Sequence, residues 1–494
     1  MNRFYFFISL LFLIVCISVP VRSQGDYQQK LMRQFHEITS EEVYGYAARL
    51  ASAEYNGRMS GSPQYIEAAT WVASLLESWG IKPAGDDNTF FQWFDQGYNV
   101  VHNTGALSLH IPQKTGNTIT KNYTFIEGYF PGMNSGNGEV TAEVVFTGYG
   151  ITAPELNYDD YRNVDVNGKI VMFARDVPYK DTRNAEYSKW VKYCYHQYKI
   201  ENAVAHGAVG MLYMDGIQAN PNITYVPGFI WCGVSDEVVN DLFAGQKTAC
   251  KDLLAEIDKT FKPASMNTGM KVTIKASTTW QEGKCCNVLG ILEGTDPVLK
   301  DEVIVVGGHL DGVGNCGVML PGALDNASGS ADIMGAARAM ALSGIPLKRT
   351  VMFAFFGSEE TGLIGSRLLA ERLVSGKQKV KYMINLDMVG NGMGFFLAGG
   401  KNYPELLKYF EEANSRYLHR ELGASTSSPG YGRPRSDAAN FQIRGIPTMS
   451  LFTTQTVKKV YYHLPGDDAS ALTPEIMEDA AKLLYLALTA MAME

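Results

Sequence analysis

The sequence predicts an α/β protein: a mixed, largely parallel central sheet flanked by helices, with a smaller mixed α/β unit inserted ahead of most of its strands. Three observations carry this. From about residue 285 onward, apolar β-branched runs alternate with helical stretches, the pattern of a parallel sheet covered on both faces. Between about 136 and 275 the texture changes to short strands separated by aromatic and Gly-rich turns. Finally, hydrophobic residues make 46% of the 494 residues and charged residues only 19%, which suits a large buried core and excludes a disordered chain.

The elements follow in chain order. Met1-Asn2-Arg3 is a short basic region, Phe4 to Val19 is nearly unbroken apolar sequence, and Val21-Arg22-Ser23 offers a cleavage site. Residues 1–23 read as a secretory signal peptide. Cys16 is preceded by Val15 where a lipoprotein signal needs a small residue. Residues 24–135 then form the first part of the main domain. Thr39 and Glu42 make a capping box ahead of a helix from Val43, and Ser62-Pro63 starts a second helix that Gly80 ends. Residues 136–275 form the inserted unit, with strands at Val140 to Gly148, Gly168 to Ala174 and Ala208 to Met214 and a helix from Lys192 to His206. Residues 276–494 complete the main domain. Strands are expected at Asn287 to Leu292, Val303 to Val306, Thr350 to Phe356, Tyr382 to Leu386 and Thr448 to Phe452, with helices from Ala327, Leu363 and Pro474.

Composition narrows the partners. The net charge is -8 and no Lys/Arg run is present, so nucleic acid is excluded as a ligand. Beyond the leader no stretch is long and apolar enough to span a bilayer. Six cysteines follow the leader, a number that permits disulfides in an exported chain, and none form a CxxC pair.

Function in an open α/β sheet sits at the carboxyl ends of strands. There the chain places His309-Leu310-Asp311, then Asp325 sixteen residues beyond His309, then Glu359-Glu360, Asp387 and, in a later loop, His463. Any one of these has an ordinary explanation as a cap or a loop residue. Together they form a set of imidazoles and carboxylates without thiolate, suited to zinc or another divalent metal. Three carboxylates and two histidines exceed what one catalytic zinc takes, and suit two ions sharing a carboxylate.

The stretches GGHLDG, GALDNASG, FFGSEETGLIGS, NLDMVG and YYHLPGDD resemble the zinc aminopeptidases of peptidase family M28, of the aminopeptidase Y and aminopeptidase S type. Gly57-Arg58-Met59-Ser60-Gly61-Ser62-Pro63 is similar to that family's N-terminal motif, and the 136–275 unit resembles a protease-associated (PA) domain. The resemblance implies a phosphorylase/hydrolase-like zinc exopeptidase fold and two zinc ions. It implies His309 and Asp387 on one ion, Glu360 and His463 on the other, and Asp325 bridging. Asp311 would hold the His309 ring, and Glu359 would be the general base acting on a water shared by the metals. The expected substrates are peptides with a free N-terminus. The expected location is periplasmic or extracellular, vacuolar if the host is eukaryotic. Ser436-Asp437-Ala438 departs from the family's Ser-Asp-His, and Tyr431 and Arg433 lie in the loop where an oxyanion donor is expected.

Other chemistries fit less well. There is no GxSxG, and His36-Glu37 does not continue as HExxH. Gly312, Gly314 and Gly317 match a dinucleotide motif but do not lead into a helix. M20-type carboxypeptidases carry a domain between the last two ligands, where this chain has 76 residues. A single-zinc glutaminyl-peptide cyclotransferase and a metal-free, receptor-like protein of the same fold remain as alternatives. Asn122 and Asn222 stand in glycosylation sequons.

Overall fold

A computed structural model describes residues 21–182, 184–427 and 434–494. Most of the expected leader, and the loop residues Tyr431 and Arg433, lie outside the described residues. A helix spans Val21–Glu37. No helix among the described residues is long and apolar enough to cross a membrane.

Among the described residues the main sheet has nine strands. Its centre is four parallel strands in the order Thr350–Phe356, Glu302–His309, Lys379–Leu386 and Thr448–Thr454. Lys284–Leu292 flanks them antiparallel on one side and Gly394–Ala398 on the other. The unbroken apolar runs have a direct cause. In Glu302–His309, Ile304 and Val306 point into one core with the helices Ser40–Leu50, Gly329–Leu342 and Pro474–Met493. Val303 and Val305 point into the opposite core with Ile364–Ser375 and Ala438–Gln442. Successive side chains face opposite ways, so a strand covered twice needs apolar residues at every position.

The early helices form as expected. Thr39 Oγ1 accepts from the Glu42 N–H and caps Ser40–Leu50, and Ser62 Oγ accepts from the Tyr65 N–H and caps Pro63–Ser78.

The second sheet has eight strands among the described residues, and its own cores. Gly138–Phe146, Ile170–Ala174, Gly210–Met214 and Ile230–Val234 run parallel. This sheet also takes in Ala106–Pro112, Thr118–Asn122 and Tyr129–Pro131, all ahead of residue 136. The helix expected from Lys192 begins at His196, because short turns at Ala185–Lys189 and Val191–Tyr193 bury Tyr187 and Tyr193 first.

The two sheets are joined by an antiparallel stem. Phe91–Asp95 pairs with Lys284–Leu292 in the main sheet. Tyr98–Val101 then pairs with Thr278–Gln281, and Ala106–Pro112 with Met266–Ala276 in the second sheet. The six cysteines after the leader are all buried free thiols. Asn222 is buried, which withdraws it as a glycosylation site, whereas Asn122 is exposed.

Candidate metal centre

The centre lies at the carboxyl ends of the parallel strands. His309 ends its strand opposite Phe356, after which the chain turns through Ser358 to Glu359 and Glu360. Asp387 follows the strand Lys379–Leu386 directly. Asp325 occupies an irregular turn before the helix Gly329–Leu342, and His463 a loop after Thr448–Thr454. Ser358, Met388 and His463 have left-handed backbone, at φ 60°, 54° and 56°, which is costly for residues with a Cβ and clusters at the site.

All seven expected residues converge. His309 Nε2 lies 3.1 Å from Asp325 Oδ1 and 3.8 Å from Asp387 Oδ1. His463 Nε2 lies 3.2 Å from Asp325 Oδ2 and 3.0 Å from Glu360 Oε2. Asp325 thus offers one oxygen to each histidine. The ligand atoms of His309, Asp325 and Asp387 fall within 4.8 Å of one another, as do those of Asp325, Glu360 and His463 and those of His309, Glu359 and Glu360.

The rings are prepared for cations. His309 Nδ1 is 3.1 Å from the Asp311 carbonyl oxygen, and His463 Nδ1 is 2.9 Å from the Ala219 carbonyl oxygen. A carbonyl only accepts, so each Nδ1 carries a proton, and each Nε2 is the nitrogen left to meet the carboxylates, through a second proton or through a cation in its place. Glu360 Oε1 and His463 Nε2 are buried and have no hydrogen-bond partner among the described residues. Burial disfavours protonation of both histidines, yet the surrounding carboxylates overrule it and hold them well above the usual range. Burial, with Glu360, Asp437 and Asp387 nearby, likewise lifts Glu359 well above the ordinary carboxylate value. So much crowded negative charge calls for positive charge among it, and the imidazole and carboxylate donors fit a divalent metal such as zinc.

The supporting contacts were less visible in the sequence. Asp311 meets His309 through its carbonyl; its carboxylate, 3.6 Å from Nδ1, is engaged elsewhere. Asp311 Oδ1 accepts from the Glu359 N–H at 3.2 Å, and Oδ2 from the Glu360 N–H at 3.3 Å and the Ser60 hydroxyl at 2.9 Å. Ser60 Oγ in turn accepts from the Ser358 N–H at 2.9 Å. Arg58, fully buried, donates to the carbonyls of Leu310 and Gly322 at 2.8 Å, of Pro321 at 2.8 Å and of Leu50 at 2.5 Å. Asp467 accepts from the N–H groups of Leu324 and Asp325 at 2.8 and 3.1 Å. Arg58, Ser60 and Asp467 lie inside the quoted motifs, but nothing local in the sequence shows what they hold.

Two cavities open from the centre. A smaller one of about 350 Å³ is lined by His309, Asp325, Glu359 and Asp387 and by Met388, Ala398 and Phe452. A larger one of about 900 Å³ runs between the two units, past Glu359, Glu360 and His463. Glu359, Arg435 and Tyr462 line both. The Tyr462 ring stacks on His463 at 3.8 Å between centroids. The residue is 41% exposed, yet desolvation at the packed centre, with Asp325 and Glu360 nearby, raises its hydroxyl above the usual pKa, so it stays a donor at neutral pH.

Residues 287–488 match the sequence profile of peptidase family M28. A Pseudomonas aeruginosa protein named aminopeptidase is 25% identical over 421 residues, spanning 82% of this chain and 68% of that protein. The solved aminopeptidase of Aneurinibacillus sp. strain AM-1 shares the fold with a TM-score of 0.62 at 22% identity, over 92% of this chain and 94% of that one. The Bacillus subtilis zinc aminopeptidase does so at 0.57 and 18%, over 92% and 96%.

Proposed function

We propose that this chain, whose residues 287–488 match peptidase family M28, is an exported aminopeptidase that removes N-terminal residues from peptides with two zinc ions. One observation carries the reading: Asp325 turns one oxygen to each of two histidines, and each histidine is backed by a further carboxylate. The similar proteins named for aminopeptidase activity, and for zinc in the Bacillus subtilis case, support it.

His309, Asp387 and one oxygen of Asp325 would hold one ion, and Glu360, His463 and the other oxygen the second. Zinc, when bound, supplies Lewis acidity that acidifies a water and polarises a carbonyl. Glu359 takes the proton of the attacking water and returns it to the leaving amine. Its raised pKa suits a group that must hold that proton between the two transfers. Arg435 and Tyr462, which line both cavities beside Glu359, are the donors we assign to the carbonyl oxygen as negative charge develops there. Met388, Ala398 and Phe452 give the first residue's side chain an apolar wall, while Glu359 and Asp387 give its α-ammonium an anionic one. The larger cavity takes the departing peptide. The unit at 136–275 is proposed as a PA domain, and residues 1–23 as a leader removed on export.

Glu359→Gln should keep fold and metal while kcat falls roughly 10²–10⁴-fold; near-normal kcat refutes the assignment of the base. Acetylated peptides should resist cleavage, and equal turnover of them refutes the aminopeptidase reading. Metal analysis should find two ions per chain. One ion would favour a cyclotransferase, and none a receptor-like protein.

A further inference from the structure

The two histidines of the centre are held from different places. The His309 ring is gripped by the Asp311 carbonyl, two residues away on its own strand exit. The His463 ring is gripped by Ala219, which lies on the second sheet's side of the molecule, in the segment between the strands Gly210–Met214 and Ile230–Val234. The contact is reciprocal: His463 Nδ1 meets the Ala219 carbonyl at 2.9 Å, and the Ala219 N–H donates to the His463 carbonyl at 3.1 Å. Ala219 is fully buried in an apolar cluster with Met59, Val313 and Leu320, against which Ile217 and Leu464 pack. Three residues on, the Asn222 N–H donates to the buried Asn134 side-chain oxygen at 3.0 Å. On the other side of the same segment, Gln218, Asn220 and Pro221 face Glu360 and His463 across the larger cavity.

We propose that Ala219 is a positioning residue of the metal centre: the second unit, by docking this segment, fixes the tautomer and orientation of His463 and so sets the affinity of the Asp325–Glu360–His463 half alone. The inference rests on the two-ion reading above. A metal-bound histidine depends on the acceptor at its other nitrogen, and loss of that acceptor typically weakens binding 10- to 100-fold. The His309 half has its acceptor within the main sheet and does not depend on the dock. The second unit is then more than a neighbour of the cleft, because one ion binds well only while that unit is seated.

The test uses the full chain. Asn134→Ala loosens the anchor without touching a ligand, Asn134→Asp keeps an acceptor oxygen for the Asn222 N–H, and Ala219→Leu displaces the carbonyl by crowding. Zinc affinities are measured by competition with a chromophoric chelator. In parallel, imidazole ¹⁵N spectra of the metal-free protein report the Nδ1–H that the Ala219 carbonyl holds on His463, one of eight histidines. Asn134→Ala and Ala219→Leu should weaken one ion 10- to 100-fold and leave the other unchanged, and Asn134→Asp should restore it. In the metal-free protein His463 should show a protonated Nδ1 that enters exchange in the two loosened variants. The proposal is overturned if both ions keep their affinity in folded Asn134→Ala, or if both weaken equally. If the native chain binds fewer than two ions, the two-ion reading fails separately. The metal-free spectra then decide, and an unchanged His463 signal in the loosened variants overturns the proposal.

Discussion

Replacing Arg58 by Lys keeps a cationic type of side chain and removes the fork. The guanidinium reaches four carbonyls from three nitrogens: Nε to Leu310, Nη1 to Leu50 and Pro321, and Nη2 to Gly322. A lysine ammonium donates from a single point and satisfies about two of them, leaving about two buried carbonyls without a donor at about 1–3 kcal/mol each. The expected loss is about 2–6 kcal/mol, a large part of the ~5–15 kcal/mol that holds an ordinary domain. Burial lowers the Arg58 pKa to about 10, so the native guanidinium is charged at neutral pH, whereas the same burial pushes a lysine ammonium further towards its neutral form and adds to the loss. Urea unfolding of the two proteins, followed by circular dichroism, measures the stability term. Chelator competition measures a second one, because the Leu310 and Gly322 carbonyls flank the loops that carry His309 and Asp325. Zinc affinity should fall about tenfold, in line with loss of an outer contact to a ligand. A Lys variant within ~0.5 kcal/mol of the native protein, with unchanged zinc affinity, would show that the fork does not set the two loops.

Asp311→Asn retains one acceptor oxygen for three donors, so the Glu359–Glu360 turn loosens; kcat should fall about 10- to 100-fold, while the ion at His309 stays bound, since that ring rests on the Asp311 carbonyl. Tyr462→Phe should lower kcat about 10²-fold with little change in KM if its hydroxyl meets the developing oxyanion, and an unaltered kcat would transfer that role to Arg435. Glu302 pairs with Arg349 at 2.7 Å and with Lys379, and these cations hold its carboxyl down at about 2. A depressed carboxylate contributes stability above its unfolded pKa of ~4.3 and loses it as pH falls towards 2. Glu302→Gln should therefore cost about 1–2 kcal/mol at pH 7, discounted because Lys379 is 68% exposed, and the gap should close below pH 4. A gap independent of pH would refute the linkage.

The ligand set was legible because each member stands at a strand exit, and strands buried on both faces announce themselves by unbroken apolar runs. What holds the ligands was not legible. Arg58 acts on Leu310, Pro321 and Gly322 more than 250 residues away, and Ala219 acts on His463 across 244 residues, through a backbone carbonyl that every residue type possesses. The role expected of the Asp311 side chain is taken by its main chain, a distinction that side-chain identity does not carry. The strands Ala106–Pro112 and Thr118–Asn122 carry little signal in the sequence for a related reason. They lie at one edge of the second sheet, where exposed polar positions such as Thr118, Thr120 and Asn122 break the apolar pattern.

The stem between the sheets bears on how the chain reaches its folded state. The partners Asp95 and Lys284 are separated by about 190 residues, and closing a flexible loop of that length costs ~4.6 kcal/mol in chain entropy beyond a constant, against ~2 kcal/mol for a ten-residue loop. Once the second sheet has formed, Ala106 already faces Lys275, and the ribbon Tyr98–Val101 with Thr278–Gln281 extends that pairing towards the main sheet, residue by residue. A long-range contact thereby becomes a local one. The second unit works as a template that delivers two paired strands on one side of the main sheet in register, Phe91–Asp95 with Lys284–Leu292, and a chain in which it folds slowly would assemble its main sheet slowly too.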